Sequence, residues 1–168
     1  MAPMNEYRTI VVGTDGSDLA RPTVARAAWL AAHNDADLVI VCAYAELSRR
    51  QEARNPATIG GDPRIGQVPG RAAASAAIAA AVALAQEQPA TISAALLIDG
   101  EPANALLKAA EERDADLVVV GARRHPGLAE RLLGTVATEV VRRAECEVLI
   151  VRPRATESAD DQDDPAGV

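Results

Sequence analysis

The chain has 168 residues, enough for one domain with a full core. Apolar residues make up 49%, yet Phe is absent, Tyr occurs twice and Trp29 stands alone, so the core must come from Ala, Val, Leu and Ile. The formal net charge of −7 argues against broad binding to nucleic acid or to an anionic membrane.

Residues 1–6 read as an N-terminal extension, and MAPMNEYR lacks the apolar run of a signal peptide, which predicts a cytoplasmic protein. RTIVVG (8–13) predicts a first strand, TDGS a turn, and the following stretch a helix ending near Ala32. Pro22 is compatible only with the first turn of that helix, so its regular part starts near residue 21. DLVIVCAY (37–44) predicts a second strand. Residues 45–70, rich in Gly, Pro and Arg, form a connection long enough to be a flap, a binding loop or a disordered segment.

RAAASAAIAAAVALAQEQ (71–88) is a helix by propensity, too short and too Ala-rich to cross a bilayer. ATISAALLID (90–99) predicts the third strand, and Pro102 opens the next helix, with Leu106, Leu107 and Ala110 on one face. DLVVVG (116–121) is the fourth strand, LGTVATEVVRRA (133–144) the last helix, and ECEVLIVR (145–152) the fifth strand, ended by Pro153. Residues 154–168 form an acidic tail without bulky groups, expected to be disordered. Cys42 and Cys146 lie in apolar runs without CxxC spacing and are expected to be buried free thiols.

Strands of near-continuous Val, Ile and Leu alternating with helices predict an α/β fold: a three-layer, doubly wound, five-stranded parallel sheet of Rossmann-like type over residues 7–153. Ligands of such sheets bind beyond the carboxyl ends of the strands, at the switch point. Those ends carry Gly13-Thr14-Asp15, Ala43-Tyr44, Asp99-Gly100 and Gly121. The common phosphate loops are missing. There is no G-x-x-x-x-G-K-[ST], and the sole lysine, Lys108, sits within a helix. GTDGS replaces the dinucleotide G-x-G-x-x-G. A response-regulator receiver would need a lysine after the last strand, where Arg152 and Pro153 stand.

Gly121 is followed by two residues, Arg124, nine residues, and Gly134-Thr135. Gly134 and Thr135 open a helix whose free N–H groups and dipole favour an anion, although the pair could equally act as a plain cap. Asp15 suits either a ligand contact or an Asx-turn within TDGS.

Together with IVVGTDGS, DADLVVVGAR and CEVLIV, this loop resembles that of the universal stress protein family over residues 7–153. The ATP-binding branch of that family carries Gly-x2-Gly-x9-Gly-Ser/Thr after the fourth strand; here Arg124 replaces the second glycine. The resemblance implies a stress-response regulatory protein that binds ATP or another adenine nucleotide, with Mg²⁺ as an optional companion, and is at most a slow ATPase. The implied site is Gly13, Thr14, Asp15, Ala43, Gly121, Arg123, Arg124, Gly134, Thr135 and Val136. In it Asp15 meets the ribose, the main chain of Ala43 the adenine edge, and Thr135 the phosphates. Arg124 either blocks the phosphate path or supplies a charged contact to it. In the first case the protein keeps the fold and dimer without the nucleotide. The resemblance also implies a homodimer through Glu147, Val148, Leu149, Ile150 and Val151, which would cover an exposed strand edge. The motifs of adenylating enzymes do not occur, and His125 has no acid–nucleophile arrangement in the sequence around it.

Overall fold

The computed structural model describes residues 6–47, 67–122 and 133–152. The predicted tail (154–168), most of the N-terminal extension and most of the 45–70 connection lie outside them, as do Arg123, Arg124 and His125.

Each strand forms where β-branched and aliphatic residues run together. They are β1 (Thr9–Gly13), β2 (Asp37–Ala45), β3 (Val68–Pro69), β4 (Thr91–Asp99), β5 (Leu117–Gly121) and β6 (Glu147–Val151). The helices between them are α1 (Arg21–Asn34), α2 (Arg71–Ala85), α3 (Pro102–Glu112) and α4 (Thr135–Arg143). Pro22 and Pro102 stand in the first turns of α1 and α3, where a missing N–H breaks no bond. The α1 chain turns out through Asp35 in the left-handed region, with its N–H on the Ala31 carbonyl.

All pairings are parallel. The five long strands lie in the order β4-β2-β1-β5-β6, the doubly wound arrangement expected from the sequence. The two-residue β3 is an addition. It continues the β1 edge of β2: the Thr14 N–H donates to the Val41 carbonyl and the Gly70 N–H to the Ala45 carbonyl, while Tyr44 turns its carbonyl the other way, to Gly100.

Strand alternation divides the core into two layers. Ile10, Val12, Leu38, Ile40, Leu117 and Val119 pack against Val24, Ala27, Ala28 and Ala31 of α1 and Ala81 and Ala85 of α2. Val11, Val39, Val41, Val118 and Val120 face Ala105, Leu106 and Ala109 of α3 and Ala137 and Val140 of α4. Helices on both faces follow from strands apolar on both faces, and the alanines let the helices lie close. Gly16 shows how close: a Cβ there would stand 2.7 Å from the Ala77 Cβ. At the opposite end the Asp116 carboxylate accepts from the Arg8 and Thr9 N–H groups, at 2.7 and 2.9 Å, and fixes the start of β1 beside β5.

Candidate functional site

The chain leaves β1 toward β2 by way of α1, and β5 toward β6 by way of α4, so the sheet reverses its direction of winding between β1 and β5. An open cleft lies there, beyond the carboxyl ends of the strands. It is lined by the ends of β1 and β5 (Gly13, Gly121), by the turn after β1 (Thr14, Asp15, Ser17, Leu19), and by Ala20 and Thr23 at the start of α1. Val41 and Ala43 of β2, Pro102 and Leu106 of α3, Ala122, and Val136 of α4 complete it.

Six residues expected from the sequence therefore meet in one place: Gly13, Thr14, Asp15, Ala43, Gly121 and Val136. Gly134 and Thr135 immediately precede Val136 at the start of α4. Arg123 and Arg124 fall outside the described residues. Tyr44 and Asp99 do not line the cleft; β4 pairs with β2 on the edge away from β1.

Each part has a local cause. The two readings of Asp15 are compatible. Its Oδ1 accepts from the Ser17 N–H at 2.9 Å and from the Ser17 hydroxyl at 2.5 Å, so an Asx-turn holds the loop while Asp15 still borders the cleft. Gly16 sits at φ +76°, the conformation this turn needs from glycine. The Val41 carbonyl accepts from Thr14 and the Ala45 carbonyl from Gly70 on one edge of β2, so the main-chain groups of Ala43 face that edge, between the last paired residue of β1 and the first of β3.

Gly134, at φ +85°, precedes α4 and offers the first N–H groups of that helix no side-chain cap. The same holds for α1 and α3. Three uncapped helix starts thus border one cleft, and their dipoles make it attractive to an anion. Among the described lining residues Asp15 is the sole charged side chain.

Gly121 acts through the space it leaves. Its backbone is not in the positive-φ region, so no special turn requires glycine there. The space is what is missing: a Cβ would stand 2.8 Å from the Thr23 Oγ1. Thr23, Ser17, Leu19 and Leu106 were not expected as lining residues. Their positions follow from how α1 and α3 dock, which no motif encodes.

Fold and cleft together define a doubly wound parallel α/β protein with an open cleft at the switch point. The family model for the universal stress protein family matches residues 6–152. A universal stress protein of Mycobacterium tuberculosis is 41% identical over 148 residues, covering 88% of this chain and 98% of that one. The chain belongs to the universal stress protein family. Among solved structures, a universal stress protein in complex with cAMP is 34% identical, with a TM-score of 0.65, over 88% of this chain and 98% of that one. The universal stress protein of Archaeoglobus fulgidus, in complex with dAMP, superposes with a TM-score of 0.61 over 87% and 98% of the two chains; at 22% identity it bears on the fold alone.

Proposed function

We propose that this chain is a regulatory protein of stress responses that binds an adenine nucleotide, ATP or a related adenylate, in the switch-point cleft. The observation that carries the reading is the convergence of Asp15, the Ala43 main chain, Gly121 and the uncapped start of α4 on one cleft. The cAMP complex of a relative 34% identical supports it. In this reading the adenine edge meets the Ala43 main chain, the ribose meets Asp15 beside Gly121, and the phosphates meet the N–H groups of Gly134, Thr135 and Val136.

Asp15 is the single titratable group among the described lining residues, and Ser17 holds one of its oxygens. With no second acid or base there to position a water, catalysis beyond slow ATP hydrolysis is not part of the proposal. The described residues hold no cluster of three or more His, Cys, Asp or Glu for a metal, so Mg²⁺ would enter on the phosphates. The protein acts as a cytoplasmic homodimer, joined through the free edge of β6.

Titration calorimetry of the full chain with ATP, ADP, AMP and cAMP, with and without Mg²⁺, tests the reading. Dissociation constants well below a millimolar, a regime worth about −4 kcal/mol, are expected. If no adenylate binds in that range, the reading fails and the alternative stands: an interaction protein that keeps the fold without the nucleotide. Arg124→Gly separates the two roles of that arginine. It tightens ATP binding if Arg124 obstructs the phosphates and weakens it if Arg124 contacts them.

A further inference from the structure

Thr23 is the odd member of the cleft. It is 1% exposed, and its Oγ1 is the one buried side-chain polar atom among the described residues without a hydrogen-bond partner. A threonine in a helix ordinarily satisfies its hydroxyl on the carbonyl three or four residues back. Thr138 in α4 does so, donating to the Gly134 carbonyl at 2.8 Å. Thr23 does not; its oxygen lies instead against the glycine at the end of β5. A buried hydroxyl left unpaired is destabilising, and an Ala or Val at this position would avoid that cost.

The place of Thr23 in the cleft says what would satisfy it. Along the carboxyl edge of the sheet the order is Ala43 on β2, Gly13 on β1, Gly121 on β5, then the start of α4. In the adenylate reading, the base is at the first of these and the phosphates at the last, which leaves the sugar beside Gly121. We propose that the Thr23 hydroxyl is a specificity-determining contact for a sugar hydroxyl of the bound nucleotide, so that the cleft favours ribose over deoxyribose. This assignment rests on the adenylate reading of the cleft. The missing Cβ at Gly121 leaves space beside the Thr23 oxygen, at the wall of the cleft.

The test is calorimetry of the wild-type chain, Thr23→Val and Thr23→Ser with AMP, 2′-deoxy-AMP and 3′-deoxy-AMP, beside the thermal midpoints of the free proteins. The wild type should prefer AMP to one of the deoxy analogues by about five- to tenfold, the range of a neutral hydrogen bond. Thr23→Val should lose that factor for AMP and show no further loss with that analogue, while melting at or above the wild-type midpoint. Thr23→Ser should retain the preference. Undiminished AMP affinity in Thr23→Val overturns the assignment, as does an equal loss for AMP and both analogues, which would make the hydroxyl a fold element. Failure of the wild type to bind any of the three overturns the adenylate reading itself, so the two failures are distinct.

Discussion

At the scale of single residues, Gly121 and Thr23 form a matched pair. Because a Cβ at 121 would stand 2.8 Å from the Thr23 oxygen, Gly121→Ala must push apart β5 and α1 or turn the threonine. Overpacking of this kind costs about 1–3 kcal/mol. Chemical denaturation should show that loss for Gly121→Ala and recovery of most of it in the double variant with Thr23→Ala. Full additivity of the two changes would show that the pair is not coupled.

The two thiols differ by burial. Cys42 is fully buried in β2, and desolvation, with the negative charge of Asp15 nearby, pushes its pKa from 9.0 up to about 12. Cys146 is partly buried, short of the full burial expected from the sequence, and its pKa is raised chiefly by desolvation. Mild alkylation of the native chain should therefore modify Cys146 first and Cys42 only after unfolding. The sign of the pH effect is fixed. A folded pKa above the unfolded one means that Cys42 contributes stability in full below pH 9.0, and the contribution is lost as pH rises toward 12. Stability curves across that window should fall less steeply for Cys42→Ala than for the wild type, although the variant starts lower because it leaves a cavity.

At the scale of elements, the start of α4 concentrates the demands of conformation and ligand on one position. Gly134 holds φ +85° and ψ 164°, a region closed to β-branched residues. Gly134→Val should cost about 1–3 kcal/mol of stability and abolish adenylate binding, because the first turn of α4 would no longer present its N–H groups in place. Calorimetry on protein shown by circular dichroism to be folded checks this. Unchanged affinity would put the phosphates elsewhere.

The long elements were legible because their signals are local: Pro22 and Pro102 mark helix starts, and short β-branched runs such as LVIVCAY read as buried strands. β3 was not legible. Val68 and Pro69 carry no strand pattern, and the segment is held by tertiary contacts, with the Gln67 Nε2 donating to the Tyr44 and Gly100 carbonyls at 3.3 and 2.7 Å. A side chain that bonds to main chain 23 and 33 residues away leaves no trace in its neighbours.

At the scale of the whole molecule, β6 ends the strand order. The Glu147 N–H and the Val151 carbonyl both bond toward β5, so by alternation the main-chain groups of Val148 and Ile150 face the open edge. If the chain pairs with a second copy there, Val148→Pro removes an N–H from the pairing edge and leaves the β5 ladder intact. Light scattering at micromolar concentration should give twice the chain mass for the wild type and the single mass for Val148→Pro. A wild-type monomer would refute pairing through β6.

The sequence by itself determined the long elements, the parallel sheet with helices on both faces, and the end of the sheet where the cleft opens. These follow from periodicity, from the helix-opening prolines and from strands apolar on both sides, all of which are local. The spacing from Gly121 to Gly134-Thr135, together with IVVGTDGS, DADLVVVGAR and CEVLIV, also identified the family whose model matches residues 6–152. Only the tertiary structure decided that Gly121 answers to Thr23 rather than to its own backbone, and that Asp15 both closes a turn and borders the cleft. It alone left one buried hydroxyl unpaired there. Those outcomes depend on how closely α1 lies against the ends of β1 and β5, and such distances are set by packing across the fold, which no stretch of sequence specifies alone.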